Sequence, residues 1–302
     1  MNFKKPKMII SNLLGGLGNQ MFQYAVARAL ALDLGVPLKF TTDCFDTYNA
    51  HNGFELGRIF GLNLDLASKD ELTSMIGWWR QAPSVRRLLG KRPFSRLTGS
   101  RFLLEPGFNY LPILRERAEK GGYLQGYWQS ERYFSGHAAR IRTDFSFQED
   151  LRGANLQIAH AILQGPAISI HIRRGDYVSN PKTLSVHGIC HPDYYHAAIE
   201  TLLQRCPGSR LFAFSDDPQW VSQVLHPRYP ELVLVDHNKG MESYNDIRLM
   251  SMCHHHIIAN SSFSWWGAWL NPRPDKIVVA PARWFADGRD TRDLIPAGWE
   301  RI

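Results

Sequence analysis

The sequence predicts an α/β protein built on parallel sheets with helices on both faces, and two observations carry that prediction. One pattern recurs along the chain: a short apolar run, a loop of small or polar residues, then a helical stretch. Such alternation is what crossover connections between parallel strands require. The 302 residues are 44% hydrophobic, enough to bury a full core without disulfides or a structural metal, and they show no repeat at solenoid or propeller spacing. In folds of this kind ligands collect beyond the carboxyl ends of the strands, where the polar loops lie.

Taken in order, MIISNLL is the first strand and GGLGNQ, from Gly15 to Gln20, the loop after it. MFQYAVARALALDLG then reads as a mostly buried helix closed by Gly35 and Pro37. The middle, from about residue 66 to 165, is richer in Pro, Gly and Arg and has weak periodicity. A domain boundary is expected at Gln164, Gly165 and Pro166, dividing the chain into 1–165 and 166–302. Beyond it AISIHI is the strand that precedes RRGDY. HPDYYHAAIETLLQRC has helical spacing that sets Tyr195, Ile199, Leu202 and Cys206 on one core face. RLFAFS runs into DDP and a helix starting near Gln219, with Asp217 as its N-cap and Pro218 at its first position. HIIAN leads to SSFS and a short helix, WWGAWLN, stopped by Pro272 and Pro274, and KIVVA leads to PARW.

Charge narrows the partners. Lys and Arg number 35 against 28 Asp and Glu, a net +7 that favours an anionic ligand. Much of the excess is local: no acidic residue lies between Glu71 and Glu105, whereas Arg80, Arg86, Arg87, Lys91, Arg92, Arg96 and Arg101 follow Trp78 and Trp79. The bland reading is a solvated basic face, and the sharper one is a patch resting on an anionic membrane surface. The basic start is followed by an apolar run that breaks at Ser11 and Asn12, which is too short for a secretory signal. No apolar stretch reaches the ~18 residues of a membrane span. Cys44, Cys190, Cys206 and Cys253 show no CxxC spacing and read as reduced thiols of a cytoplasmic protein. A nucleic-acid partner is not expected.

Several loops carry chemistry. In HIRRGDY the Arg-Gly-Asp tripeptide suggests adhesion, but the strand before it argues for a buried strand end, where Arg173 and Arg174 offer forked donors to a phosphate. The plainer alternative is an arginine paired with Asp176 at the surface. GGLGNQ lacks the last glycine of a dinucleotide fingerprint and has no GK[ST], so it suits a sugar or diphosphate better than NAD or ATP. In NSSFSWW the serines either hold an anion or cap a helix, two compatible roles. Asp216 has no ready local explanation. No DxD triplet is present, and the run Cys253 to His256 occupies adjacent strand positions whose side chains cannot converge on zinc, so no metal site is expected.

Four blocks in order, GGLGNQMFQYAVARALA, HIRRGDYV, FSDD and DIRLMSMCHHHIIANSSFSWWGAWLNP, make the chain resemble glycosyltransferase family 11, the α-1,2-fucosyltransferases that use GDP-fucose. His256 departs from the family, which often has Asn there. The resemblance implies a GT-B fold, two Rossmann-like domains with a cleft between them, the C-terminal one holding GDP-fucose and the N-terminal one, with the Gly-rich loop, on the acceptor side. It further implies Arg173 at the β-phosphate, His171 and Asp246 at guanine, Gly16, Ser261, Ser262, Phe263 and Ser264 around the donor, and Asn19 facing the reacting sugar.

The chemistry agrees with that inference. A guanidinium fixed at the departing diphosphate stabilises charge where it develops, the work a DxD-bound metal would otherwise do. Inversion takes a single displacement and no covalent nucleophile. Asp176 is a candidate base for the acceptor hydroxyl, with orientation of Arg173 or Arg174 as its alternative role. The expected reaction is metal-independent transfer of α-fucose to the 2-hydroxyl of a terminal galactose on an oligosaccharide or glycolipid, at the cytoplasmic face of the inner membrane. Alternatives are a fucosyltransferase of another linkage, or a non-catalytic carbohydrate-binding or adhesion protein.

Overall fold

A computed structural model describes residues 7–47, 52–90, 99–175 and 180–302. They form two units: Met1–Gln148 with Arg292–Leu294, and Glu149–Thr291 with Ile295–Ile302.

The first unit is centred on four parallel strands, β1 (Ile9–Asn12), β2 (Leu38–Thr41), β3 (Phe102–Leu104) and β4 (Gly122–Gln125), in the order β2-β1-β4-β3. Ile9 lies opposite Leu38 on one side and Gly122 on the other. All four residues of β1 are buried, so it reads as a continuous rather than alternating run, as a doubly covered strand does. Helix α1 (Leu17–Leu34) returns the chain from β1 to β2 and buries most of its surface; Gly35 ends it in the left-handed conformation, its N–H reaching Ala31 and Leu32 carbonyls.

The weakly periodic middle contains α2 (Lys69–Ile76), opened by a Ser68–Glu71 capping box, and α3 (Pro83–Leu89), opened by Pro83. It does not present its arginines uniformly to solvent. Arg86 points inward, fully buried; its guanidinium pairs with Asp43 at 2.5 Å and lies 5.5 Å from the Tyr123 ring centre. Arg80 donates to the Ile76 carbonyl at 2.7 Å and stacks on Trp79, and Arg101 donates to the Lys120 carbonyl. A basic face made of the whole run is thereby corrected: three of its members hold unit 1 together. Lys91, Arg92 and Arg96 lie outside the described residues.

The second unit holds helix α4 (Gly153–Leu163), strand β5 (Ala167–Ile172), helix α5 (Pro192–Arg205), strand β6 (Arg210–Ser215), helix α6 (Pro218–Val224), strand β7 (Val233–Val235), helix α7 (Tyr244–Met252), strand β8 (His255–Ile257), helix α8 (Ser262–Leu270) and strands β9 (Val278–Ala280) and β10 (Glu300–Arg301). The strands pair in parallel in the order β10-β9-β8-β5-β6-β7. The division of the chain falls ahead of α4, not at Gly165. The reason is polar: Asn155 of α4 exchanges hydrogen bonds of 2.8 Å with Asn238 and its Oδ1 also accepts from His237 Nε2, which fastens α4 to this unit.

Tyr195, Ile199 and Leu202 are buried on α5 as expected, but Cys206, just past its end, is only half-buried. Tyr194 joins the core instead, its hydroxyl donating to the carbonyls of Ile258 and Val279. The histidine run serves the sheet. Ring nitrogens of His254 and His255 accept from the Ala167 and Ile277 amides, while buried His256 bridges Ser169 and Asn271 at 2.8 Å each. No helix among the described residues is long and apolar enough to cross a membrane.

Candidate active site

In unit 2 the strand order turns back beside β5: β6 and β7 extend to one side, β8, β9 and β10 to the other. The crevice between β5 and β8 is thus the topological switch point, the usual ligand site of such sheets. HIRRG leaves the end of β5 and NSSFS the end of β8.

Parallel register sets the arginines. Ile172 lies opposite Ser215, so one step further Arg173 meets Asp216, at 2.9 Å. Arg174 donates its backbone N–H to Asp216 at 2.8 Å and its Nε to Asp217 at 3.0 Å, with its guanidinium over the Trp220 ring. Asp217 also caps α6, accepting from the Trp220 amide at 3.0 Å. A Cβ at Gly175 would come within 2.9 Å of the Asp216 carboxylate, so only glycine lets the loop close on that side chain. Asp216, unexplained by local sequence, is the residue that aims Arg173.

His171, at the end of β5, is buried with its ring 5.6 Å from that of Phe263, which spans the crevice. Its Nδ1 has no hydrogen-bond partner among the described residues. Burial pushes the imidazole down to about 4, with Asp216 opposing the shift and Arg173 adding to it, so the ring is neutral at pH 7. A neutral imidazole can donate or accept at that nitrogen according to its tautomer, and the buried atom is left unsatisfied by the described residues.

Across the crevice Ser261 caps α8, its hydroxyl accepting from the Phe263 amide. Ser264 differs from the expectation that its hydroxyl faces an anion: it is fully buried and donates to the carbonyls of Ala259 and Ser261. Ser262 is half-buried at the first position of the helix, where an anion is favoured by the helix terminus.

Asp246, in the first turn of α7, accepts from the Asn238 side chain at 2.7 Å. Burial raises its carboxyl from an ordinary 3.8 to about 7, the Asn238 bond opposing the shift. A carboxyl with a raised folded value binds more protons folded than unfolded between those limits, so its contribution to stability falls as pH rises from about 4 to 7. Asp246→Asn is therefore expected to lose that decline: the urea midpoint of the variant should gain on that of the natural protein steadily across this range. Parallel curves would contradict it.

Unit 1 has its own switch point between β1 and β4. Gly15, with φ of 79°, turns the chain out of β1, and a Cβ there would strike the Asn19 side chain at 2.8 Å. Gly16 precedes α1 without a side-chain cap. Three amides of α1 anchor this end: Asn19 Oδ1 accepts from Gln129 at 2.7 Å, Gln20 donates to the Gly15 and Gly53 carbonyls, and Gln23 accepts from the Leu14 amide and donates to the Gly126 carbonyl. After β4, Trp128 adopts a left-handed φ of 58°, a strained state for this side chain. Glu105 compensates by accepting the backbone amides of Tyr127 at 2.6 Å and Trp128 at 2.7 Å.

With this geometry in view, comparison with known proteins is direct. The sequence model of Glycosyl transferase family 11 matches residues 111–302. The chain belongs to this family. Relatives extend the match to nearly its whole length: an Escherichia coli alpha-1,2-colitosyltransferase is 34% identical over 98% of this chain and 99% of its own. The Escherichia coli O-antigen biosynthesis glycosyltransferase WbnK is 33% identical over 96% and 98%. Among solved structures, fucosyltransferase NodZ from Bradyrhizobium superposes with a TM-score of 0.52 over 91% of this chain and 95% of that one at 16% identity, a likeness of fold. The protein is a fucosyltransferase-like glycosyltransferase of the GT-B class.

Of the residues expected to act, His171, Arg173, Ser261, Ser262, Phe263 and Ser264 come together at the β5–β8 crevice, and Asp246 sits at the amino end of a helix on the same sheet edge. Gly16 and Asn19 lie in unit 1. Asp176 falls outside the described residues. Among the described residues Asp216 pairs with Arg173 and Asp217 with Arg174. Sequence reasoning singled out Asp216 without giving it a role, and it missed Gln20, Gln23 and Glu105. Polar residues inside the otherwise apolar helix MFQYAVARALA were the available signal for Gln23.

Proposed function

We propose that this chain is an inverting galactoside 2-α-L-fucosyltransferase that moves L-fucose from GDP-β-L-fucose to the 2-hydroxyl of a terminal galactose without a metal. The observation that carries the reading is a guanidinium, Arg173, held by Asp216 at the switch point beside a neutral buried His171 and the start of α8.

Arg173 takes the β-phosphate. As the fucosyl C1–O bond breaks, negative charge gathers on that phosphate, and a preorganised guanidinium stabilises it without a metal. Asp216 keeps the fork aimed before substrate arrives, which limits reorganisation during the reaction. The α8 terminus, with Ser262 and the Phe263 backbone, meets the diphosphate, while Ser264 holds the turn behind it. His171 takes the guanine with its unsatisfied nitrogen, and Asp246, ionised in the complex, accepts from guanine N–H donors. In unit 1, Asn19, fixed by Gln129, is assigned to the reacting sugar, and the acceptor is assigned to the same unit. The acceptor hydroxyl attacks C1 from the opposite face and releases its proton to a base, for which Asp176 is the candidate.

A second reading is favoured by the colitosyltransferase relative: the donor is then GDP-colitose, in which the sugar lacks the 3-hydroxyl of fucose. WbnK supports an O-antigen-type glycan as acceptor under either reading. The test is transfer to lactose from each donor in excess EDTA, with product linkage determined by NMR. Fucosyl-α-1,2-galactose formed in EDTA is the expected outcome. Activity with GDP-colitose alone moves the assignment to the second reading, and activity restored only by a divalent cation removes the metal-free mechanism.

A further inference from the structure

Unit 1 contains a cavity of about 490 Å³ at the carboxyl ends of its strands, lined by Asn12, Phe45, Arg87, Glu105, Gln125 and Tyr127 among others. Nothing in the donor chemistry uses it. The volume is within the range of small-molecule sites, about 300–1,000 Å³, and its wall has their usual composition, apolar and aromatic surface with a few convergent polar groups.

We propose that this cavity seats a neutral pyranoside, the acceptor galactoside, with Glu105 receiving its hydroxyl donors and Tyr127 its apolar ring face. The inference rests on the transferase reading above and adds the residues that choose the acceptor.

Two features argue for a sugar. A pyranoside presents hydroxyl donors at its rim and C–H groups on its faces; galactose, with its axial 4-hydroxyl, gathers C–H groups on one face in particular. Glu105 is fixed to meet the donors. Its oxygens accept the amides of Tyr127 and Trp128, which leaves lone-pair sites of the roughly four a carboxylate has for a hydroxyl to fill. Gly126 lies against its stem, where the Cβ of any other residue would fall 2.4 Å from the Glu105 Cβ, so glycine there is what lets the turn close on the carboxylate. Burial pushes the carboxyl up to about 7, the amides opposing the shift, so a further donor on the ionised form is favourable. Tyr127 supplies the platform. It is 37% exposed and its ring is stacked on Phe108 with 7° between planes, so the face offered to a ligand is held in place. Arg87, exposed on α3 at the cavity wall, gives a second polar contact for ring or glycosidic oxygens.

The test uses the full chain and two variants, Tyr127→Ala, which keeps the backbone N–H that Glu105 accepts, and Glu105→Gln. At saturating donor the KM for lactose should rise at least about tenfold in each, roughly 1.4 kcal/mol of lost binding, while the Kd for GDP stays within about twofold. Saturation-transfer NMR should show lactose contact in the natural protein that is lost in Tyr127→Ala. An unchanged acceptor KM and an unchanged NMR signal in Tyr127→Ala would overturn the proposal. Should Glu105→Gln disturb the turn and fail to bind GDP, Tyr127→Ala decides. If the natural protein transfers no sugar to a galactoside, the transferase assignment fails by that result, and the NMR signal still decides whether the cavity holds a sugar.

Discussion

Arg173→Ala is expected to lower kcat for sugar transfer by about 10²–10³, the cost of removing one preorganised charge-stabilising donor from an active site. The effect should fall on kcat more than on the donor KM, because the guanidinium is needed most once the bond to the leaving phosphate is breaking. Arg173→Lys keeps the charge but not the fork that Asp216 engages, so it should recover only part of the rate. Asp216→Asn offers an independent check: it leaves the guanidinium in place but weakens its aim, and a loss smaller than that of Arg173→Ala is expected. Steady-state transfer kinetics read all three. Full activity in Arg173→Ala would exclude the leaving-group role assigned to it.

Asp43→Ala is expected to destabilise the fold by about 3–5 kcal/mol, the usual cost of leaving a buried charge without its partner. The Arg86 guanidinium is enclosed in the unit 1 core, and its Nε and Nη1 already lack hydrogen-bond partners among the described residues; the carboxylate of Asp43 is what balances it. Arg86→Met, which removes the charge and retains much of the volume, should cost less than Asp43→Ala. That inverted order distinguishes an unpaired buried charge from simple loss of a favourable contact. Urea midpoints at constant m-value measure it, and an Arg86→Met loss larger than that of Asp43→Ala would contradict the electrostatic account.

Four of the six strands of unit 2, β5, β6, β8 and β9, were readable because they lie in apolar runs bounded by turn residues, whereas β7 has only three residues and β10 is the charged pair Glu300–Arg301. AISIHI and RLFAFS appear in the structure with those same limits, Ala167–Ile172 and Arg210–Ser215. The partner of Arg173 was not readable. Asp216 becomes its neighbour only through the register of two strands more than forty residues apart, which no local pattern encodes. Arg86 failed for another reason: in an acid-free run of basic residues, the default reading of every arginine is solvent, and burial of one is decided by a carboxylate at Asp43 far away in sequence. Glu105 was hidden by the shortness of β3, whose three residues are too few to show periodicity. The end of α4 was mistaken for a boundary because Gly165 and Pro166 look like a linker, whereas the hydrogen bonds between Asn155 and Asn238 tie that helix to unit 2.

Residues 292–294 return to unit 1 after the chain has already built most of unit 2. Within that return Asp293 accepts from the Tyr110 amide at 3.0 Å and pairs with Arg132 at 2.7 Å, and the chain then goes back to lay β10 beside β9. Exchange of halves between related transferases therefore cannot be made with one crossover at residue 148. A chimera spliced there would carry a foreign tripeptide into the unit it was meant to leave intact, so a functional recombinant needs the segment around Asp293 to travel with the amino-terminal parent, two further junctions in a stretch of only three residues.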